Sequence, residues 1–345
     1  MSKEKVLVVC PGRGTYNKGE LGYLHRYNGD RTRLVQEINH LRSHLDQDDI
    51  LELDRQDKYS TPRHTAGENA SALIYACAHH DFTQINSDKY EVVAVTGNSM
   101  GWYIALVCAG VLNTQDGAQV INTMGSMMTK GLIGGQLIYP IVDENWHIDP
   151  HKIDLVDQLL AKANVEPNIE LYISIKLGGF IVLGGNQEGL KLASEILPPE
   201  QFRYPMKLYN HAAFHTPLLE ETSLQARALL SQELFGMPKT PVIDGRGYIW
   251  QTLSSNPFDL YHYTLATQVY DHYNFTTAVQ VSVKEFAPDR IIILGPGNTL
   301  GGAVAQSLIQ MQWRGLVDKE SFIDRQKTDP LILAMGMPEQ RTLVV

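Results

Sequence analysis

A serine between glycines is the residue of this chain best placed to do chemistry. Ser99 lies in the segment GNSMG at residues 97–101. The apolar run 92–95 before it predicts a buried strand, and the almost uncharged segment 102–112 predicts a helix. A serine on such a sharp turn meets the free N–H groups that begin the helix, and these favour an anion forming there. The pattern predicts a nucleophile at Ser99; the alternative is a loop serine in a chance G-x-S-x-G.

A serine hydroxyl is a poor nucleophile until a base takes its proton. His215, in the segment AAFHTPLLEE at residues 212–221, is the candidate for that base. Taken alone, His215 also fits a structural position near the start of a helix, because a threonine and a proline follow it. The other motifs of the chain decide between a catalytic base and a structural histidine.

Two glycine-rich loops follow apolar segments that predict strands. KVLVVC at residues 5–10 precedes PGRG, and RIIIL at 290–294 precedes GPGNTLGG. Strands that are apolar throughout are typical of a parallel sheet covered on both faces. Because sites in such sheets form at the carboxyl ends of the strands, both loops are expected at the same edge as Ser99.

The segment 132–208 has a different pattern of predicted strands and helices. It predicts a strand, a helix, two short strands around a Gly-Gly turn, a second helix and a last strand. This β-α-β-β-α-β order is that of a ferredoxin-like unit. We therefore expect an α/β fold in which a parallel-sheet, hydrolase-like catalytic domain (1–131 and 209–345) carries an inserted ferredoxin-like subdomain (132–208).

Composition excludes several classes of function. The 345 residues carry a net charge of -9 and no basic block, which argues against a nucleic-acid binder and against an anionic membrane surface. No apolar run approaches the ~20 residues of a membrane span, and the N-terminal run is too short for a signal peptide. Cys10, Cys77 and Cys108 lack metal-type spacing and read as buried thiols in a reducing compartment. The expectation is a cytoplasmic protein with no metal and no membrane partner.

In their order, the loops and motifs PGRG, GNSMG, AAFHTPLLEE and GPGNTLGG, together with the insertion, resemble the malonyl-CoA:acyl-carrier-protein transacylase family. That family includes the acyltransferase domains of polyketide synthases, and the resemblance covers roughly residues 5–310. It implies an S-acyltransferase of fatty acid or polyketide biosynthesis. Such an enzyme moves a malonyl or other short acyl group from coenzyme A to the phosphopantetheine thiol of an acyl carrier protein, by a ping-pong mechanism. It implies no cofactor beyond the coenzyme A thioester, which is the substrate.

The resemblance also assigns roles. Ser99 matches the nucleophile and His215 the histidine that activates it. The N–H of Met100 and the loop residue Arg13 match the oxyanion hole. The family orients its histidine with a backbone carbonyl, and the matching place here is Asn274, which also fits a helix N-cap.

Three departures from the family bear on the acyl group. Arg13 stands where the family usually has glutamine, Asn98 where it has histidine, and Met124 where an arginine pairs with the malonyl carboxylate. Phe214 matches a residue associated with the choice of malonyl. Since an unpaired buried carboxylate is costly, either the acyl group is uncharged or Arg13 supplies the cation. Arg13 could instead point to solvent or pair with Glu68.

Other functions stay open at this stage. The same fold could act as an acyl-thioester hydrolase with water as second nucleophile. An α/β-hydrolase esterase expects a late histidine, but His262 and His272 lie in no matching turn. A carrier-binding subunit without activity would not need Ser99 and His215. For a carrier partner, which is acidic as a class, three residues are candidates for a basic mouth: Arg203, Lys207 and His211.

Overall fold

The computed structural model describes residues 2–127 and 132–345. Its first sheet has six strands in the order β11-β10-β1-β2-β7-β8. The pairs from β11 to β7 are parallel, and only β8 runs antiparallel, against β7. The strands of both sheets are β1 Glu4–Cys10, β2 Tyr90–Gly97, β3 Gly135–Pro140, β4 Leu171–Leu177, β5 Phe180–Gly185, β6 Met206–Lys207, β7 Val242–Ile243, β8 Ile249–Trp250, β9 Tyr273–Asn274, β10 Arg290–Ile293 and β11 Ile332–Ala334.

The centre of this parallel sheet is inaccessible to solvent. The last five residues of β1 and the last three of β10 are buried, as expected for strands covered on both faces. The helices are α1 Tyr23–Arg26, α2 Arg33–Ser43, α3 Ile50–Asp54, α4 Thr61–His64, α5 Gly67–Thr83, α6 Gly101–Cys108, α7 Thr114–Met127, α8 Pro150–Val165, α9 Gln187–Ile196, α10 Glu220–Leu229, α11 Pro257–His262, α12 Gln268–Tyr270, α13 Phe275–Phe286, α14 Leu300–Gln310, α15 Lys319–Thr328 and α16 Pro338–Val344. Helices α5 and α6 supply much of the apolar surface that covers the sheet.

The second sheet has the order β6-β3-β5-β4-β9. Its first four strands are antiparallel and, with α8 and α9, follow one another along the chain as β-α-β-β-α-β. A small separate core of apolar residues lies between this sheet and its two helices. Strand β9 belongs to a distant part of the chain and joins β4 in parallel, so the sheet extends beyond segment 132–208. The domain limits 132 and 208 stay a prediction.

Two local features complete the fold. The end of the chain belongs largely to helix α16. A π-helical turn, Tyr263–Thr267, lies between α11 and α12. This turn matters for the site because it directly precedes Gln268.

Candidate active site

The turn that carries Ser99 joins β2 to α6 with almost no spare space. Ser99 has a left-handed backbone, with φ 55°. A Cβ added to Gly97 would overlap the carbonyl of Gly101, and one added to Gly101 would overlap the carbonyl of Cys10. Both glycines are therefore required by close backbone approach, as the sequence predicted. The strain at Ser99 is of the kind that folds retain where a side chain must be presented to a substrate.

His215 lies against this turn and is almost fully buried. Its Nε2 is 2.7 Å from Ser99 Oγ, and its Nδ1 is 2.6 Å from the backbone carbonyl oxygen of Gln268. A carbonyl oxygen only accepts, so Nδ1 carries the proton and donates it to Gln268. Nε2 is then left to accept from the Ser99 hydroxyl, which is the arrangement that a general base needs.

The electrostatics of the site keep this histidine neutral. Burial lowers the pKa of His215 from 6.5 to about 4, the hydrogen bond to the Gln268 carbonyl opposes that shift, and His272 adds slightly to it. A neutral imidazole at physiological pH is the form that can take a proton.

The prediction that Asn274 orients the histidine is wrong in this structure. Asn274 caps helix α13, where its side-chain oxygen accepts from Thr277 N at 3.0 Å. The orienting carbonyl belongs to Gln268, which follows the π-helical turn. The turn brings the chain back toward His215, whose own N–H donates to Val269 O at 2.8 Å. Of the two interpretations of Asn274, the helix N-cap is the one observed.

The loop after β1 adjoins the turn, since Asn98 N donates to Cys10 O at 3.2 Å. Arg13 on this loop is partly buried, and its Nη2 donates to Thr65 O at 2.8 Å. Burial lowers the pKa of Arg13 to about 10, and the nearby carboxylate of Glu68 acts in the opposite direction. The guanidinium therefore lies beside Glu68 instead of extending into solvent. The roles of Arg13 and the Met100 N–H in an oxyanion hole stay predictions.

A cavity of about 400 Å³ opens in front of Ser99. We call it the acyl cavity. The three residues predicted to bind substrate, Asn98, Met124 and Phe214, all line it, as do Met100 and Arg13. Its remaining wall is mainly apolar and comes largely from the second sheet and from helices α7 and α14. Apolar walls with few polar groups are typical of sites for small organic ligands.

His211 also lines the acyl cavity, but it does not supply the positive charge expected of it. Burial and the charge of Arg13 hold its pKa well below 6.5, so the ring is neutral near pH 7. Its Nδ1 lies 2.9 Å from Gln136 Oε1. His211 is therefore better described as a polar wall residue than as part of a basic mouth.

No protein-family model matches the chain. The malonyl CoA-acyl carrier protein transacylase of Haemophilus influenzae is 24% identical over 257 residues, which is 73% of this chain and 76% of the relative. The Bacillus subtilis protein of that name is 24% identical over 148 residues, and the match spans 41% of this chain and 45% of the relative.

Solved structures extend the similarity over the fold. The malonyl-CoA:acyl carrier protein transacylase of Xanthomonas oryzae has a TM-score of 0.72 at 20% identity, covering 99% of this chain and 98% of that chain. The acyltransferase domain from the second module of the salinomycin polyketide synthase has a TM-score of 0.69 at 17% identity, covering 99% and 72%. A malonyl-transacylase solved in complex with a type II polyketide acyl-carrier protein has a TM-score of 0.71 at 16% identity, covering 99% of both. In sequence and in fold, the chain is therefore similar to malonyl-CoA:acyl-carrier-protein transacylases.

Two residues of the site around Ser99 were missed from the sequence. Gln268 gives its backbone carbonyl to His215 and its side-chain Nε2 to Ser99 O at 3.1 Å, while its Oε1 accepts from Tyr103 Oη at 3.0 Å. Every residue has a backbone carbonyl, so the residue type gave no signal for this role, and only the structure could identify it. Ser71 lines the cavity from the alanine-rich helix α5, where the sequence suggests only a small packing residue.

Within residues 2–127 and 132–345, no three His, Cys, Asp or Glu side chains are grouped so as to hold a metal ion. Over those same ranges, no helix is both long and apolar enough to cross a membrane. Cys10, Cys77 and Cys108 are buried free thiols.

Proposed function

We propose that this protein moves an acyl group from coenzyme A to the phosphopantetheine thiol of an acyl carrier protein, by a ping-pong mechanism on Ser99. The observation that carries the proposal is the relay from Ser99 Oγ through His215 to the Gln268 carbonyl, at 2.7 and 2.6 Å, beside a largely apolar cavity. The names of the relatives support the substrate classes, and a neighbour solved with a carrier protein supports the partner.

In the first half-reaction Ser99 Oγ attacks the thioester carbonyl carbon and its proton passes to His215 Nε2. The carbonyl oxygen becomes an oxyanion at the start of α6, where donors such as the Met100 N–H would stabilise it. The carbon–sulfur bond then breaks, the imidazolium returns its proton to the sulfur, and coenzyme A leaves as the thiol. An acyl ester remains on Ser99.

In the second half-reaction the phosphopantetheine thiol takes the place of coenzyme A. His215 Nε2 accepts the thiol proton, the sulfur attacks the ester carbonyl, and the bond to Ser99 Oγ breaks. The proton returns to Ser99, so the enzyme is restored and each proton is accounted for. The scheme draws only on side chains of this chain and on the two thiols, and therefore calls for no metal or cofactor.

A wide cleft beside the acyl cavity suits both thiol carriers. Within the described ranges it is lined by one acidic residue, Asp57, and by five cationic residues: Arg13, Lys18, Lys58, Arg203 and Lys207. A surplus of positive charge at the mouth favours the phosphates of coenzyme A and the acidic surface of a carrier protein. We assign this role to Arg203 and Lys207, the candidates from the sequence, together with Lys18 and Lys58.

One experiment separates transfer from hydrolysis. The protein is mixed with acyl-CoA alone, and free coenzyme A is measured with and without carrier protein that bears phosphopantetheine. A transferase releases about one equivalent of coenzyme A as Ser99 is acylated, then stalls until the carrier is added. Steady release that the carrier does not raise would assign the protein to the acyl-thioester hydrolases. The Ser99→Ala variant, which should give no burst, is the control.

A further inference from the structure

Two residues of the acyl cavity hold side-chain oxygens that have no hydrogen-bond partner within the described part of the chain. They are Ser71 Oγ on α5 and Asn98 Oδ1 beside the nucleophile. The two residues have only 1% and 8% of their surface exposed. Buried polar atoms are paired in the great majority of cases, so two unpaired atoms in one cavity call for a ligand that pairs with them.

The rest of the cavity wall disfavours a charged acyl group. The apolar lining residues include several from α7, the second sheet and the segment before His215, among them Ile121, Met124, Ile138, Ile175, Val182 and Phe214. Two arginines also line the cavity. Arg13 is engaged with Thr65 O and lies beside the Glu68 carboxylate, and Arg203 is an exposed side chain that also borders the outer cleft. Among the described residues, the apolar wall itself offers no cation, so a carboxylate placed against it would lose its hydration without a matching charge.

The two oxygens lie at different places along the cavity. Asn98 directly precedes Ser99, and its amide lies against the loop after β1, since a Cβ added to Gly12 would stand 3.3 Å from Asn98 Nδ2. Ser71 lies where α5 crosses α7, since a Cβ added to Gly125 would stand 3.0 Å from Ser71 Oγ. Gly125 follows Met124 on α7, so Ser71 Oγ lies at the side of the cavity that α7 forms.

On the basis of the proposed acyl transfer, we propose that the cavity selects an uncharged acyl group that carries a hydroxyl, and that Asn98 and Ser71 determine this preference. A hydroxyl donates to an amide oxygen, and it can donate to or accept from a serine hydroxyl. A methylene pairs with neither residue. A carboxylate oxygen and Asn98 Oδ1 are both hydrogen-bond acceptors, so they would repel each other. The carboxylate would also bring an uncompensated negative charge.

The test compares three acyl-CoAs of similar size: butyryl-CoA, the hydroxybutyryl-CoA isomers and malonyl-CoA. Second-order constants for acylation of Ser99 are measured by rapid quench and intact-protein mass. We expect the preferred hydroxybutyryl isomer to exceed butyryl by about tenfold, the size of one good hydrogen bond, and malonyl to be slowest.

Variants then locate the preference. Ser71→Ala and Asn98→Ala each remove one unpaired oxygen, and the hydroxybutyryl-to-butyryl ratio should fall toward one in at least one of them. Ser282→Ala is the matched control, because this buried serine on α13 donates to Ala278 O and lies outside the cavity. The control should keep the wild-type ratio.

Three results would overturn the inference: equal constants for hydroxybutyryl and butyryl, a preference for malonyl, or a hydroxyl preference that survives in both cavity variants. Failure of all three acyl-CoAs to acylate Ser99 would instead overturn the proposed function, and this inference with it. Efficient acylation by malonyl or butyryl alone leaves the proposed function standing and removes only the hydroxyl preference.

Discussion

Gln268 contacts both Ser99 and His215, the proposed catalytic pair, and its side chain can be changed while its backbone carbonyl is kept. The side chain is buried, with 2% of its surface exposed, and it links the turn of Ser99 to Tyr103 on α6. Gln268→Leu keeps the approximate size and the backbone carbonyl that faces His215, but removes both side-chain hydrogen bonds. The Tyr103 hydroxyl then loses its partner, and the Ser99 carbonyl keeps only the hydrogen bond from Trp102 N.

The magnitude follows from those two bonds. Each neutral hydrogen bond contributes about 1 kcal/mol net, and a buried hydroxyl left unpaired costs about 1–3 kcal/mol. We expect Gln268→Leu to lower the free energy of unfolding by about 2–4 kcal/mol. Acylation should slow by about 10–100-fold, since a displacement near 1 Å between reacting groups can cost about 100-fold.

The double variant separates stability from positioning. Tyr103→Phe removes the stranded hydroxyl, so Gln268→Leu combined with Tyr103→Phe should recover much of the lost stability, because replacing both partners by apolar groups is nearly neutral. Acylation should stay slow, since the bond from Gln268 to Ser99 O is still missing. Urea unfolding and rapid-quench acylation measure the two effects. A Gln268→Leu protein that acylates at the wild-type rate would refute the reasoning.

Three further predictions concern charge. Acylation should be independent of pH from about 5.5 to 8 and fall below the His215 pKa of about 4, because the imidazole must be neutral to accept the serine proton; an inflection near 6.5 would contradict this. Arg341→Met should lower the free energy of unfolding by about 3–5 kcal/mol in urea, because the buried Asp81 carboxylate, 2.6 Å from Arg341 Nη1, loses its cation. Lys191→Met removes an exposed ion pair with Glu195 and should lower it by less than about 1 kcal/mol. Equal losses in the two variants would contradict the argument from burial. Arg13→Gln should slow acylation by malonyl-CoA and butyryl-CoA by the same factor, and selective loss of malonyl would instead make Arg13 a carboxylate clamp.

The sequence was informative wherever a role depends on residue type. Glycines at 97 and 101 were predicted from a sharp turn, and both are indeed required by backbone contacts. The parallel strands were predicted from uninterrupted apolar runs, and β1, β2 and β10 lie side by side. Ser99 and His215 were named from motifs far apart in sequence, and the structure brings them into hydrogen-bond contact.

The sequence was uninformative wherever a role depends on the path of the backbone. The carbonyl that orients His215 belongs to Gln268 and not to Asn274. A π-helical turn directly precedes Gln268 and changes the path of the backbone there. The neutrality of His211 results from burial beside Arg13, which no local pattern encodes. The lack of a hydrogen-bond partner at Ser71 Oγ likewise depends on how closely α5 and α7 pack, which the sequence does not show.

The central claim is that Ser99 forms an acyl ester with the help of His215. Intact-protein mass spectrometry after mixing with acyl-CoA, followed by peptide mapping, tests it most directly. The account predicts one added acyl group, mapped to Ser99, absent in Ser99→Ala and formed about 100–10,000-fold more slowly in His215→Ala. Acyl label on another residue, or label taken up by Ser99→Ala at the wild-type rate, would contradict it.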